Sequence, residues 1–200
     1  MQNFDALLAE SVERHGHLCA GQVIGVRMAM LGCKLTGIDN PRSHDQCKKM
    51  VVYVEIDRCA TDAIESVTGC KLGRRSLKFK DFGINAATFV NVETGRAFRI
   101  LSTEESRELV SKYAPEESSH YKQQMKGYML MPDRELFDVH EVTVNLPEHE
   151  MPGPPRKHAV CSRCSQVVRD GKELDIHGDI LCPICAGHGY FKVIRKMLPD

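Results

Sequence analysis

Four cysteines near the C-terminal end fall into two pairs, Cys161-x-x-Cys164 and Cys182-x-x-Cys185, with 17 residues between the pairs. That spacing is the one expected of a four-cysteine zinc site. Two intervening residues let both thiolates of a pair point into one tight turn. Two such turns on neighbouring hairpins then present four sulfurs to a Zn2+ at about 2.3 Å in a tetrahedron. Gly171 and Gly178 suit the turns of short ribbon strands, and Pro183 stiffens the second knuckle. The alternative is a pair of unmetallated dithiols, but a module of about 45 residues has too little core to fold without a staple. Four thiolates complete the coordination shell, so the site is expected to be structural, with His177 and His188 left on the surface or beside the ligands.

A second group lies near the start: His15-Gly-His-Leu-Cys-Ala-Gly21 places two imidazoles and a thiol within five residues. The segment leads into a glycine-rich helix, whose N-terminal partial charge favours an anionic ligand. His17 and Cys19 alternate in an extended stretch, so both side chains can face one way. They are too few for a complete site, and Cys59, just after an apolar strand, is the best third ligand. A single H-x-C carries little weight by itself. The same residues equally fit a hydrogen-bonded loop histidine and a small buried thiol.

The rest of the chain must position these groups. Apolar residues make up 42% and charged residues 27%, ordinary for a globular protein. Nothing at the N-terminus reads as a signal peptide, and the apolar run around Val23 to Leu31 is too short to span a bilayer. The expectation is a soluble, cytoplasmic protein. In that reducing setting clustered thiols point to metal or redox chemistry rather than disulfides. The stretch Leu146 to Pro155 holds four prolines and a glycine and marks a semi-rigid linker. The organisation expected is a core over 1–146, a linker over 147–157 and a zinc ribbon over 158–200.

Within the core, Phe4, Leu7, Leu8, Ser11 and Val12 share one helical face. A second helix is predicted from Ala20 to Leu31 with Gly32 as its cap. Its small residues Ala20, Gly21, Gly25 and Ala29 would let another backbone approach closely. Met50 to Ile56 reads as a buried strand, Ala60 to Thr68 as a helix closed by Gly69, and Ala86 to Val92 with Arg96 to Leu101 as a hairpin. Ser102 and Glu105 predict a capping box, Pro115 the start of a further helix, and Asp133 a capped turn before a strand over Val139 to Leu146. Helices and strands mix without βαβ alternation, so the fold class is α+β.

The segment His15 to Met28, HGHLCAGQVIGVRM, resembles the signature of the FmdE family, the E subunits of formylmethanofuran dehydrogenase. So does Cys59-Ala-Thr-Asp-Ala-Ile-Glu-Ser-Val-Thr-Gly-Cys70-Lys-Leu-Gly73, followed by Asp81-Phe-Gly83. The C-terminal ribbon looks like the appendage that some members carry. The resemblance implies an α+β core, a homodimer, and a metal held by His17, Cys19 and Cys59, with His15 as a substitute. Cys70 and Asp62 are matched positions that the resemblance places behind the ligands rather than among them. Ala20 stands where the family commonly has proline, and Ile84 where it commonly has lysine. Cys33 and Cys47 fall outside both motifs and read as ordinary thiols.

Three functions follow as expectations. The first is a metal-binding accessory or regulatory protein with a structural zinc ribbon and an open core site for zinc or another first-row transition metal. The second is an enzyme using the core metal, for which Asp62 and Glu65 are the only nearby carboxylates. The third is a transcription-type regulator acting through the ribbon. Residues 151–200 hold 8 Lys/Arg against 5 Asp/Glu in a chain of zero formal net charge. So slight a surplus is not the dense basic patch of a nucleic-acid surface; the ribbon is expected to fold back on the core, ahead of docking on a protein partner or on nucleic acid.

Overall fold

The first helix, α1 (Phe4–His15), starts where Asn3 accepts a hydrogen bond from the Ala6 amide and ends at Gly16, whose φ of 93° only glycine adopts freely. It buries Leu7, Leu8 and Ser11, the face its periodicity marks out. Helix α2 (Ala20–Thr36) runs five residues past the expected end and is capped by Gly37 at φ 73°. Gly32 is therefore helix interior and not a cap. A Cβ there would lie 2.6 Å from Cδ1 of Phe89, so the glycine is needed for an aromatic ring to lie against the helix.

The computed structural model describes residues 1–197, so 198–200 of the expected ribbon lie outside the described residues. It contains two units, Met1–Asn145 and a second from Leu146 onward. The first is built on a five-stranded sheet in the order β2-β1-β3-β4-β5. Its strands are β1 (Met50–Val54), β2 (Leu77–Phe79), β3 (Ala86–Asn91), β4 (Ala97–Ser102) and β5 (Phe137–Glu141). β1 and β2 are parallel, and every other neighbouring pair is antiparallel. Helix α3 (Cys59–Thr68) lies between β1 and β2 in the chain and is closed by Gly69 at φ 69°. Met50, Val52, Val54, Ala87, Phe89 and Ile100 join the apolar residues of α1, α2 and α3 in one core. The α+β class read from the pattern is the class observed.

Several boundaries differ from expectation. Helix α4 (Glu104–Tyr113) is capped by Thr103, whose hydroxyl accepts from the Ser106 amide at 3.2 Å, because Ser102 is still paired in β4. Helix α5 (His120–Leu130) starts after Ser119 rather than at Pro115, since Ser119 supplies the oxygen that accepts the Lys122 amide. Asp133 opens the short α6 (Asp133–Leu136), and its carboxylate pairs with Arg27 instead of capping. The last strand of the core occupies 137–141, not 139–146.

The second unit has two hairpins, β6 (His158–Val160) with β7 (Val167–Arg169), and β8 (Leu174–Ile176) with β9 (Asp179–Leu181). Gly171 and Gly178, at φ 68° and 93°, make the turns before and within the second hairpin. A helical turn over Ile184–His188 follows. No helix among the described residues is long and apolar enough to cross a membrane.

Candidate metal centres

In the second unit the knuckle Cys161-x-x-Cys164 forms the loop of the first hairpin, and Cys182-x-x-Cys185 follows β9. The amide of Ser162 donates to the carbonyl of Ile180 at 2.8 Å and ties the two together. The four sulfurs lie within 4.8 Å of one another, and those of Cys164 and Cys182 are 3.8 Å apart. The backbone amide of Cys182 stabilises the Cys161 thiolate and brings its pKa down to about 6. The thiol of Cys185, hydrogen-bonded to those of Cys164 and Cys182, is pushed up to about 12. One thiol of the cluster ionises early and another resists, as expected of four sulfurs that share one space. A cation at the centre removes that conflict, so the donors fit a metal ion, and a four-thiolate shell suits zinc.

The core cluster forms where α1 ends and α2 begins. His15 is the last residue of α1, and Gly16 turns the chain with its amide on the Val12 carbonyl at 2.8 Å. Cys19 is the N-cap of α2 in extended conformation, with no side-chain capping bond, so its sulfur is left for other partners. Ligand atoms of His15, His17 and Cys19 lie within 4.8 Å of one another, with the two imidazole rings 4.7 Å apart. Cys19 is buried, His15 half-buried and His17 exposed. Nδ1 of His15 is 2.8 Å from Oδ2 of Asp62, while its Nε2 is buried without a hydrogen-bond partner. That orphaned atom, on a ring clustered with a second imidazole and a thiol, fits a first-row transition metal.

Cys59, the first residue of α3, stands just outside this set of three. Burial, and then a hydrogen bond to the Cys19 thiol, push its own thiol above the ordinary value. Glycines bring the two together. A Cβ on Gly21 would lie 2.9 Å from that of Cys59, and one on Gly25 would lie 2.7 Å from that of Ala63. The small-residue stripe of α2 is thus where α3 packs. Gln22, fully buried, locks the junction: its amide nitrogen donates to the Cys59 carbonyl at 2.7 Å, and its oxygen accepts from the Ser11 hydroxyl of α1. Sequence reasoning missed Gln22, although a glutamine in the apolar face of a helix was a usable signal. It also gave Asp62 no partner, because 47 residues separate it from His15.

The remaining core thiols are bland. Burial pushes Cys33 up to about 12 and Cys70 up to about 11, so both behave as small apolar groups. A cavity of about 280 Å³ opens beside the start of α2, lined by Ala20, Gly21, Asn85, Thr103, Arg107 and Tyr128 among others.

An α+β core with two histidines and a cysteine gathered at the start of its second helix, followed by a unit whose four-cysteine cluster could bind a metal ion, defines the class of protein. Residues 14–138 match the family model described as FmdE, molybdenum formylmethanofuran dehydrogenase operon, and the chain belongs to this family. A protein of Archaeoglobus fulgidus described as a probable S-adenosyl-L-methionine-binding protein is 28% identical over 213 residues. The match covers 95% of this chain and 55% of the relative, so the chain spans about half the length of that protein. The crystal structure of a tungsten formylmethanofuran dehydrogenase FmdE-like protein from Syntrophus aciditrophicus superposes with a TM-score of 0.60 at 17% identity, covering 96% of both chains. That likeness shows a shared fold.

Proposed function

We propose that this protein is a cytoplasmic metal-binding accessory or regulatory protein, resembling the E subunits of formylmethanofuran dehydrogenase, with a zinc-finger ribbon and a second, open metal site in its core. The observation that carries the reading is the pair of ligand clusters, each with its donor atoms within 4.8 Å. In the ribbon Cys161, Cys164, Cys182 and Cys185 take Zn2+ in a closed structural site. In the core His17 and Cys19 hold zinc or another first-row metal, joined by His15 and by Cys59 beside them. Such a metal supplies a Lewis-acid centre with room for an outside ligand. The chain's own residues orient the donors and keep Cys19 away from water.

An accessory role is favoured over catalysis by what the nearby carboxylates do. Asp62 is engaged by His15, and Glu65 is 3.9 Å from Nζ of Lys71. Neither stands free as a general base beside the cluster. The ribbon exposes Val160, Val167, Ile184 and Tyr190, which suits a protein partner better than a phosphate backbone. A homodimer is the assembly the family resemblance implies, and sedimentation of the full chain tests it.

Metal analysis of protein purified without added metal tests the core of this reading. The expected result is two equivalents per chain, falling to one in Cys19→Ser and to one in Cys161→Ser. A single equivalent in the wild type, lost with Cys161→Ser and untouched by Cys19→Ser, overturns the second site.

A further inference from the structure

We infer that Asp62 is the positioning residue of the core site, fixing His15 so that its Nε2 lone pair faces the metal. The inference rests on the core-metal reading proposed above and deepens it. A neutral imidazole has one N–H and one lone pair, and a hydrogen bond at one nitrogen decides which is which. Oδ2 of Asp62 lies 2.8 Å from Nδ1 of His15 and can only accept, so the proton is on Nδ1 and Nε2 is the acceptor. Nε2 is the nitrogen left without any partner, and it is buried.

That arrangement is the reverse of an ordinary surface ion pair. Asp62 itself is exposed, with 64% of its side-chain surface accessible, whereas that of His15 is 13% accessible. A histidine merely paired with a surface carboxylate would turn its free nitrogen to water. Here the carboxylate meets the solvent and the free nitrogen points inward, where a ring nitrogen of His15 comes within 4.8 Å of the donors of His17 and Cys19. An acceptor buried without a donor is unfavourable unless a cation meets it.

One turn of α3 delivers both supports. Cys59 and Asp62 are three residues apart and share a face of that helix. Cys59 meets the Cys19 thiol, and Asp62 meets His15. The packing of α3 on Gly21 and Gly25 therefore sets two contacts of the cluster at once. Carboxylate partners of ligating histidines fix ring orientation and raise basicity, and losing one typically weakens a metal about 10–100-fold.

The test uses the full chain loaded with Zn2+ against a chromophoric chelator, and with Co2+ for the absorption spectrum of the core site. Asp62→Ala is expected to weaken the second equivalent about 10–100-fold, shift the Co2+ spectrum, and leave the ribbon equivalent unchanged. Asp62→Asn keeps an oxygen that accepts from Nδ1 and should recover part of the loss. In a His15→Ala background, Asp62→Ala should cost nothing further. Nitrogen-15 spectra of the metal-free protein should show His15 protonated at Nδ1, and a mixture of tautomers in Asp62→Ala.

Asp62→Ala within about twofold of wild type, or an equal loss in the His15→Ala background, overturns the inference while two wild-type equivalents keep the core-metal reading alive. A wild type that takes up one equivalent overturns both.

Discussion

The two clusters gather their donors in opposite ways, four thiols in the ribbon against two imidazoles and a thiol in the core. In the ribbon each pair of ligands is closed by its own short turn, and one amide-to-carbonyl bond, Ser162 to Ile180, ties the pairs. In the core the donors come from the end of α1, the following loop and the cap of α2, with Cys59 and Asp62 brought in by α3. The ribbon unit buries few residues around its cysteines, whereas the core cluster rests on a large apolar interior. A small unit depends on its metal to fold, and a large one holds ligands in place before the metal arrives.

The largest expected effect breaks the comparison most directly. Cys161→Ser should release the ribbon metal and unfold that unit while the core melts as before, followed by calorimetry and amide NMR. Loss of core cooperativity in the same variant would show that the two regions are not independent.

Next in size is Gly25→Ala. The added Cβ would come 2.8 Å from the Ala60 Cα and 2.7 Å from the Ala63 Cβ, so α3 must move. A cost of about 1–3 kcal/mol in denaturant unfolding of the core is expected, with weaker core-metal binding and an unchanged ribbon. Gln22→Ala should cost about 1–3 kcal/mol, because the Ser11 hydroxyl and the Cys59 carbonyl both lose their buried partner. Neither substitution should touch the ribbon's metal.

Acid should separate the two regions further. Ribbon thiolates must stay unprotonated to hold the metal, so the ribbon should melt steeply as pH falls. The core should lose stability gradually. Within it, the Tyr113 hydroxyl, 2.7 Å away, holds the Glu135 carboxyl below its ordinary value of 4.5. Because the folded value lies below the unfolded one, that contribution is complete above the unfolded value. It is lost as pH falls through the lower folded value. Tyr113→Phe should flatten this part of the pH dependence, the smallest of the effects, read from core melting between pH 6 and 3.

How legible each region was follows from the range of its contacts. The cysteine pairs of the ribbon announce themselves because ligands three residues apart need one turn. The helices and strands of the core were largely readable from periodicity, and the glycine stripe of α2 was readable as a place of close approach. Helix ends were less so. Gly32 looked like a cap, but its partner is Phe89, a contact between a helix and a strand that no local rule anticipates. Ser102 looked like a cap, but pairing of β4 with β5 kept it in the sheet.

By itself the sequence determined the α+β class, the cysteine knuckles and the proximity of His17 to Cys19, because each depends on residues within a few positions of one another. Tertiary structure alone decided that Nδ1 of His15 lies 2.8 Å from Oδ2 of Asp62, 47 residues away in the chain. It also decided that α3 packs closely on Gly21 and Gly25, which sets Cys59 against the start of α2. The physical reason is that a cluster of this kind is assembled by helix packing, and packing is set by the shapes of surfaces far apart in the chain.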